Sequence, residues 1–181
     1  VYDEIDPAIT TEFVGYDNDS CNSTITVLTT DALVEAIAEG DEATLFAEQT
    51  PFYATMGGQQ GDCGVITSDG AEFIVKDTIK LKGGKYGHIG KVTKGMFKVG
   101  DSVTLSIDTA KRADICKNHS ATHLLQKALK MVLGDHVEQK GSLVTPDRLR
   151  FDFSHFSPMT PEEITKVENI VNEEIAKALP V

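Results

Sequence analysis

Cysteine is scarce. Cys21, Cys63 and Cys116 are the only three in 181 residues, and their odd number and wide separation fit reduced thiols rather than a disulfide framework. Long apolar runs are missing too. Nothing approaches the roughly 18 residues that a membrane helix requires, and the opening "VYDEIDPAIT" is too acidic for a secretory or mitochondrial leader. A soluble, cytoplasmic protein with no membrane partner is expected. The chain opens on Val1 instead of Met, so a piece of a longer protein is expected as well. Positive charge is absent from the first 50 residues, which hold 12 of the 28 acids and no Lys or Arg.

A net charge of −11 taken alone argues against a nucleic-acid partner, since neutralisation of phosphates by Lys and Arg dominates such affinity. The distribution changes that reading. Beyond residue 50 there are 16 acids against 17 bases, and between Lys76 and Lys98 stand seven lysines with one acid, Asp77. This local basic stretch suits phosphate contact, and equally suits solubilising lysines on an exposed strand edge.

From residue 12 to about 107, short apolar runs alternate with turn signals such as "YDNDS", "EGDE", "GGQQGD", "SDG" and "KGGKYG". "STITVL", "EATLFA", "EFIVKDTIKL", "HIGKVT" and "DSVTLSI" are rich in Val, Ile, Thr and Phe and are predicted strands. Turns this regular favour a sandwich or small barrel over residues 1–108, and "EGDEATL" is echoed by "VGDSVTL" some sixty residues later. Residues 31–38, "DALVEAIA", are compatible with a helical turn or two or with a strand. At Asp108 the period changes. Residues 109–134 read as a long amphipathic helix ending at Gly134. "HVEQKGSLVTPDRLRFDFSHF" reads as a hairpin, and residues 161–178 as a final helix with Thr160 at the N-cap, Pro161 at N1 and Glu163 at N3. Helix, hairpin, helix over 109–181 is an α+β arrangement whose sheet looks short.

In "NHSATH", His119 and His123 are four residues apart, one helical turn, so both rings can converge on one ion. At about 100° per residue, Ala121, Leu124, Leu125, Ala128 and Val132 cluster on one side of the helix and the two histidines point nearly the opposite way. Surface exposure or an interface explains such a pair as well as metal does. No Glu follows His119, which excludes the H-E-x-x-H arrangement of zinc proteases. Cys116, three residues earlier, is a weaker third-ligand candidate, and His88, His136 and His155 lack diagnostic spacing.

"NHSATHLLQKAL", "GDHVEQKGSLVTPDRLRFDFSHF" and "TPEEITKVENIVNEEIAKALPV", in that order, resemble the editing region of alanyl-tRNA synthetases and free-standing editing proteins of the same specificity. The upstream "QTPFYATMGGQQGDCGVI" is similar to the glycine-rich stretch of the barrel that precedes it there. The resemblance implies an α+β protein: a translation-factor-like antiparallel β-barrel, then an editing domain truncated before its second metal-ligand motif. It implies a deacylase that hydrolyses mischarged seryl- or glycyl-tRNA specific for alanine, within an aminoacyl-tRNA ligase. Family members hold zinc with H-x-x-x-H plus a later C-x-x-x-H. His119 and His123 match the first half, and the second half is expected beyond Val181, leaving the present chain weak or inactive. Thr122 and Gln139 carry over as editing-pocket positions. The loop Gly57, Gly58 and Gln59 is expected near the tRNA acceptor end, and Lys76, Lys80 and Lys82 of the basic stretch are expected tRNA contacts. ATP use belongs to a separate upstream module of the parent. Met56 departs from the Ser that many relatives carry before the glycines.

Such a site has a reason to exist. A pocket built for alanine rejects an added hydroxyl only about a hundredfold, so serine slips through, and glycine is smaller than either. A second site with a polar group for the seryl hydroxyl can exclude alanine, since an unpaired buried polar group costs about 1–3 kcal/mol. Gly57, Gly58 and Gln59 also resemble the Gly-Gly-Gln of peptide release factors, where an ester is hydrolysed; a tight strand connection with glycines at positive φ is the other reading. Two rival functions stand beside editing of the alanyl type: a non-catalytic tRNA-binding module with structural histidines, and the editing domain of threonyl-tRNA synthetases. The barrel and its Gly-Gly-Gln favour the alanyl type over the latter.

Overall fold

The computed structural model describes residues 1–180, which form two compact units: Val1–Met56 with Gln60–Arg112, and Gly57–Gln59 with the chain from Ala113 onward. In chain order the first unit holds β1 (Glu12–Phe13), β2 (Ser20–Thr29), β3 (Leu33–Val34), β4 (Ala36–Ala38), β5 (Glu42–Ala47) and β6 (Gln49–Thr50). After the glycine-rich loop come β7 (Gly64–Ser68), β8 (Ala71–Leu81), β9 (Lys85–Lys94), β10 (Met96–Lys98) and β11 (Ser102–Ile107). Strands β2, β5, β9, β8, β7 and β11 pair antiparallel in that order, and β11 pairs back onto β2, closing a six-stranded barrel with β3 appended to β2. Closure leaves no free edge in the ring. Residues 31–38 give β3 and β4, so no helical turn forms there.

The echo noted in the sequence is structural. Ala38 N–H donates to Asp41 Oδ2 at 2.8 Å and Lys98 N–H to Asp101 Oδ2 at 2.9 Å, with Gly40 and Gly100 at φ 94° and 91° in matching turns. Each turn joins a three-residue strand to a six-residue barrel strand, and the two short strands, β4 and β10, pair antiparallel with Ile37 opposite Phe97. Both side chains are buried. The barrel interior is filled by Ile25, Leu28, Leu45, Phe52, Ile66, Phe73 and Leu105, all essentially inaccessible.

His88 lies in this interior, fully buried on β9. Its Nδ1 donates to Leu45 O at 2.7 Å, since a carbonyl can only accept, which leaves Nε2 to accept the Thr50 hydroxyl at 2.7 Å. Thr50 Oγ1 in turn accepts from Phe52 N–H at 3.1 Å, and the Phe52 ring stands edge-on to the imidazole at 5.0 Å. Both ring nitrogens are engaged, so His88 is removed from the metal-ligand candidates. Burial pulls its pKa down to about 4 from an ordinary 6.5, partly opposed by the bond to Leu45 O.

The long helix begins within this unit. Asp108 Oδ1 accepts from Lys111 N–H at 3.1 Å, the geometry of a helix N-cap, and Asp108 N–H donates to Cys63 O at 2.7 Å. One turn on, Arg112 Nε donates to both carboxylate oxygens of Asp62 at 3.0 and 3.1 Å, while its terminal nitrogens reach Asp62 Oδ2, Pro51 O (3.0 Å) and Gly15 O (3.2 Å). The Asp62 side chain is 5% exposed and that of Arg112 22%. A buried carboxylate so placed relies on the guanidinium to balance its charge.

The second unit contains α1 (Thr109–Leu133) from Ala113 on, β12 (Gln139–Val144), β13 (Leu149–Phe153) and α2 (Pro161–Ala176). Strands β12 and β13 make an antiparallel hairpin with a bulge between Gln139 and Gly141. Ala128, Leu129, Val137, Phe151 and Val167 form the core, flanked by Leu125, Val132 and Ile170. Ala121 and Leu124, expected on the same stripe, instead line an open apolar groove with Ile175 and Leu179. The start of α2 is a complete capping box: Glu163 N–H donates to Thr160 Oγ1 at 3.2 Å and Thr160 N–H to Glu163 Oε1 at 2.9 Å. That backbone donor holds the Glu163 carboxyl below the usual range. Among the described residues no helix is long and apolar enough to cross a membrane.

Two stability tests follow. Between pH 4 and 6.5 the unfolded chain binds a proton at residue 88 that the folded barrel rejects, so the His88 contribution is whole above pH 6.5 and is lost as pH falls through the window, by up to about 3 kcal/mol. Urea unfolding of the wild type and of His88→Gln from pH 7 to 4 is expected to show a shallower decline in the variant. Asp62→Ala takes the carboxylate away from the half-buried Arg112 guanidinium and is expected to lower the unfolding free energy by about 3 kcal/mol in the same assay.

Candidate functional site

Within the second unit, His119 and His123 lie on one face of α1, both exposed, with ring centroids 5.1 Å apart. Two rings that close can address one ion, and their imidazole nitrogens suit zinc. Among the described residues no group of three His, Cys, Asp or Glu is placed to hold a metal, so Cys116, exposed one turn earlier, does not complete the set. His136 and His155 form a different pair: Nε2 of the former and Nδ1 of the latter are 2.8 Å apart, with the Phe156 ring stacked on His136 at 4.5 Å.

Thr122 is 7% exposed, and its hydroxyl donates to Asn118 O at 2.8 Å, one turn back. With the proton committed, Thr122 Oγ1 has only lone pairs to offer. Asn118 is itself tied down, donating from Nδ2 to Thr145 O (2.8 Å) and Pro146 O (3.1 Å), so the turn of the hairpin is held against the helix face that carries Thr122. Asparagine is a poor helix former, and its place in the middle of α1 was the one sequence signal for this role.

The glycine-rich loop joins the same unit. Gly57 and Gly58 have φ of 61° and 82°, values that a side chain disfavours, and a Cβ at Gly58 would also overlap Ser142. Val144 N–H donates to Gly58 O at 2.8 Å, and Gln59 makes a parallel bridge with Val144. Gln139 Nε2 donates to Ser142 Oγ at 3.2 Å, and that hydroxyl lies 3.5 Å from Gly57 O. Sequence reading named Gly57, Gly58, Gln59 and Gln139; Ser142, the residue between them, was missed because a lone serine in a strand carries no signal. Gln139 is exposed and its Oε1 accepts from no protein donor in the bonds described, so this side chain also presents an acceptor.

Lys76, Lys80 and Lys82 belong to the first unit. Lys76 and Lys80 are on β8, Lys82 follows its end, and all three are exposed. Lys80 Nζ sits 5.5 Å over the Tyr86 ring centroid. Lys85, from the same basic stretch, is 6% exposed and is not available to a partner.

Residues 2–111 match the family described as tRNA synthetases class II (A). Over its full length the chain is 65% identical to alanine–tRNA ligase 1 of Lachnoclostridium phytofermentans, covering 21% of that protein. It is 52% identical to the alanine–tRNA ligase of Rhodopseudomonas palustris over 90% of the chain and 18% of the relative, and 47% identical to that of Acetivibrio thermocellus over the whole chain and 21% of the relative. The chain thus spans about a fifth of the length of these curated relatives. It belongs to the class II (A) tRNA synthetases, as a homologue of one segment of the alanine–tRNA ligases.

Proposed function

We propose that the chain is the barrel and the first part of the editing region of a cytoplasmic alanine–tRNA ligase, acting on tRNA specific for alanine that carries serine or glycine. The observation that carries this reading is the convergence on β12: Gly58 O and Gln59 against Val144, and Gln139 bonded to Ser142 beside Gly57. Residues from two distant motifs, both expected near the aminoacyl end of tRNA, are thereby joined through one strand.

Thr122 and Gln139 select the seryl substrate. Each presents an acceptor, and a seryl hydroxyl is a donor; an alanyl methyl would leave buried Thr122 Oγ1 without that bond. Gln59 faces the acceptor end of the tRNA, and Lys76, Lys80 and Lys82 contact its phosphates. His119 and His123 would hold two of the positions around a zinc ion, with the remaining ligands from another part of the parent. Bound there, zinc would polarise the ester or lower the pKa of water. With half of the ligand set, affinity for the ion is poor and hydrolysis by this chain alone is weak. ATP and alanine activation are assigned to a different module of the parent ligase.

Deacylation of seryl-tRNA specific for alanine is expected to be far slower with residues 1–181 than with a chain extended to include a C-x-x-x-H segment, and zinc content should rise in parallel; equal rates would overturn the reading. In the intact ligase Gln59→Ala is expected to slow tRNA-dependent deacylation at least tenfold while leaving alanine activation, measured by pyrophosphate exchange, unchanged.

A further inference from the structure

Aromatic residues make up only 7% of the chain and tryptophan is absent, yet three of the four tyrosines meet at one place on the first unit. Phe13 stacks on Tyr86 with ring centroids 5.8 Å apart and planes within 8°. Tyr16 stands edge-on to Phe13 at 5.1 Å and Tyr53 does so at 6.3 Å. Together with Met56 and Lys80 these rings line a cavity of about 120 Å³. It is not a core that failed to close. Tyr16 is 88% exposed and Met56 58% exposed, although large apolar groups elsewhere in this unit are mostly packed inside the barrel.

A small recess walled by aromatic faces, with an ammonium over one ring, suits a planar, electron-rich group that carries negative charge close by. Single-stranded nucleic acid has that chemistry: each base offers a π-face and each linkage an anion, and aromatic platforms beside lysines are how proteins hold it without reading sequence. The charge is present where it is needed. Lys80 is at the recess and Lys82 is two residues further along, both exposed, in a stretch whose only acid is Asp77. Asp77 in turn is occupied, accepting from Thr55 Oγ1 at 3.0 Å and Thr78 N–H at 2.8 Å. Base-paired RNA buries its base faces in the stack, so a recess of one ring's size takes an unpaired nucleotide and no duplex.

We propose that Phe13, Tyr16, Tyr53 and Tyr86 form a stacking pocket for one unpaired base of an RNA strand, with Lys80 and Lys82 against the flanking phosphates. This rests on the tRNA reading above and adds where and how a strand is gripped. Because the fluorescence of this protein comes from tyrosine alone, titration with a short single-stranded RNA is expected to quench it, and the same strand in a duplex is expected to bind at least tenfold more weakly. Tyr16→Ala should weaken single-strand binding about tenfold with an unchanged dependence on salt, and Tyr16→Phe should bind within about twofold of wild type. Lys80→Ala with Lys82→Ala should instead lower the salt slope. If the lysine variant weakens binding and Tyr16→Ala does not, the stacking pocket is wrong and the phosphate contacts stand. If wild type binds single strand and duplex alike, or binds only a proline-rich peptide, the pocket is wrong as well. No binding of any RNA would sink the pocket and the lysine contacts together, while deacylation by the extended chain would still decide the editing reading.

Discussion

One guanidinium gathers oxygen atoms from three separate stretches of the first unit. Arg112 donates to Gly15 O, Pro51 O and the carboxylate of Asp62, and Asp62 passes the constraint on, its Oδ2 accepting from Tyr53 N–H at 2.7 Å and its carbonyl from the Thr78 hydroxyl at 2.9 Å. The turn before Tyr16, the strand exit before Tyr53 and the first turn of α1 therefore share one electrostatic anchor. Its partners are mostly shielded from water, where losing one member is costly. The aromatic cluster is supported by it: two of its rings sit on segments whose backbones this network fixes. The surface ion pairs, such as Lys117 with Asp114, are open to solvent and add little.

The candidate residues of the second unit are organised differently, by the backbone. Val144 N–H and Gly58 O bring the glycine loop to β12, and Asn118 binds the carbonyls of the hairpin turn. These bonds fix main-chain positions and leave Gln139 Oε1 and Thr122 Oγ1 as lone-pair donors. Under the proposed editing function, two acceptors would take the proton of a seryl hydroxyl, and an alanyl methyl group has none to give.

Local patterns were the legible part of this sequence. The barrel strands, the long helix and the hairpin rest on near-neighbour periodicity, and the capping box from Thr160 to Glu163 formed as its four-residue signature requires. The echo of "EGDEATL" in "VGDSVTL" was readable for the same reason, since an Asp one residue after a Gly closes each turn through its own carboxylate. Residues 31–38 were ambiguous because alternating small and branched residues suit a short strand as well as a helical turn, and pairing of Ala36–Ala38 with β10 decided the matter. What stayed hidden was long-range. Nothing near Arg112 announces a partner fifty residues upstream, nothing near His88 announces Thr50, and Tyr16, Tyr53 and Tyr86 are too far apart to look like a group. The histidine pair was legible in spacing and orientation; the bond from the Thr122 hydroxyl to Asn118 O depends on rotamer and was not.

The short segment Gly57–Gln59 has a consequence for anyone who divides the molecule. It is encoded in the middle of the barrel's share of the chain, yet it supplies β12 with its neighbour on the side away from β13. Linear dissection at the start of α1 would remove that bridge and leave Val144 N–H without its acceptor, Gly58 O. The helical half is thus assembled from two separate stretches of the sequence.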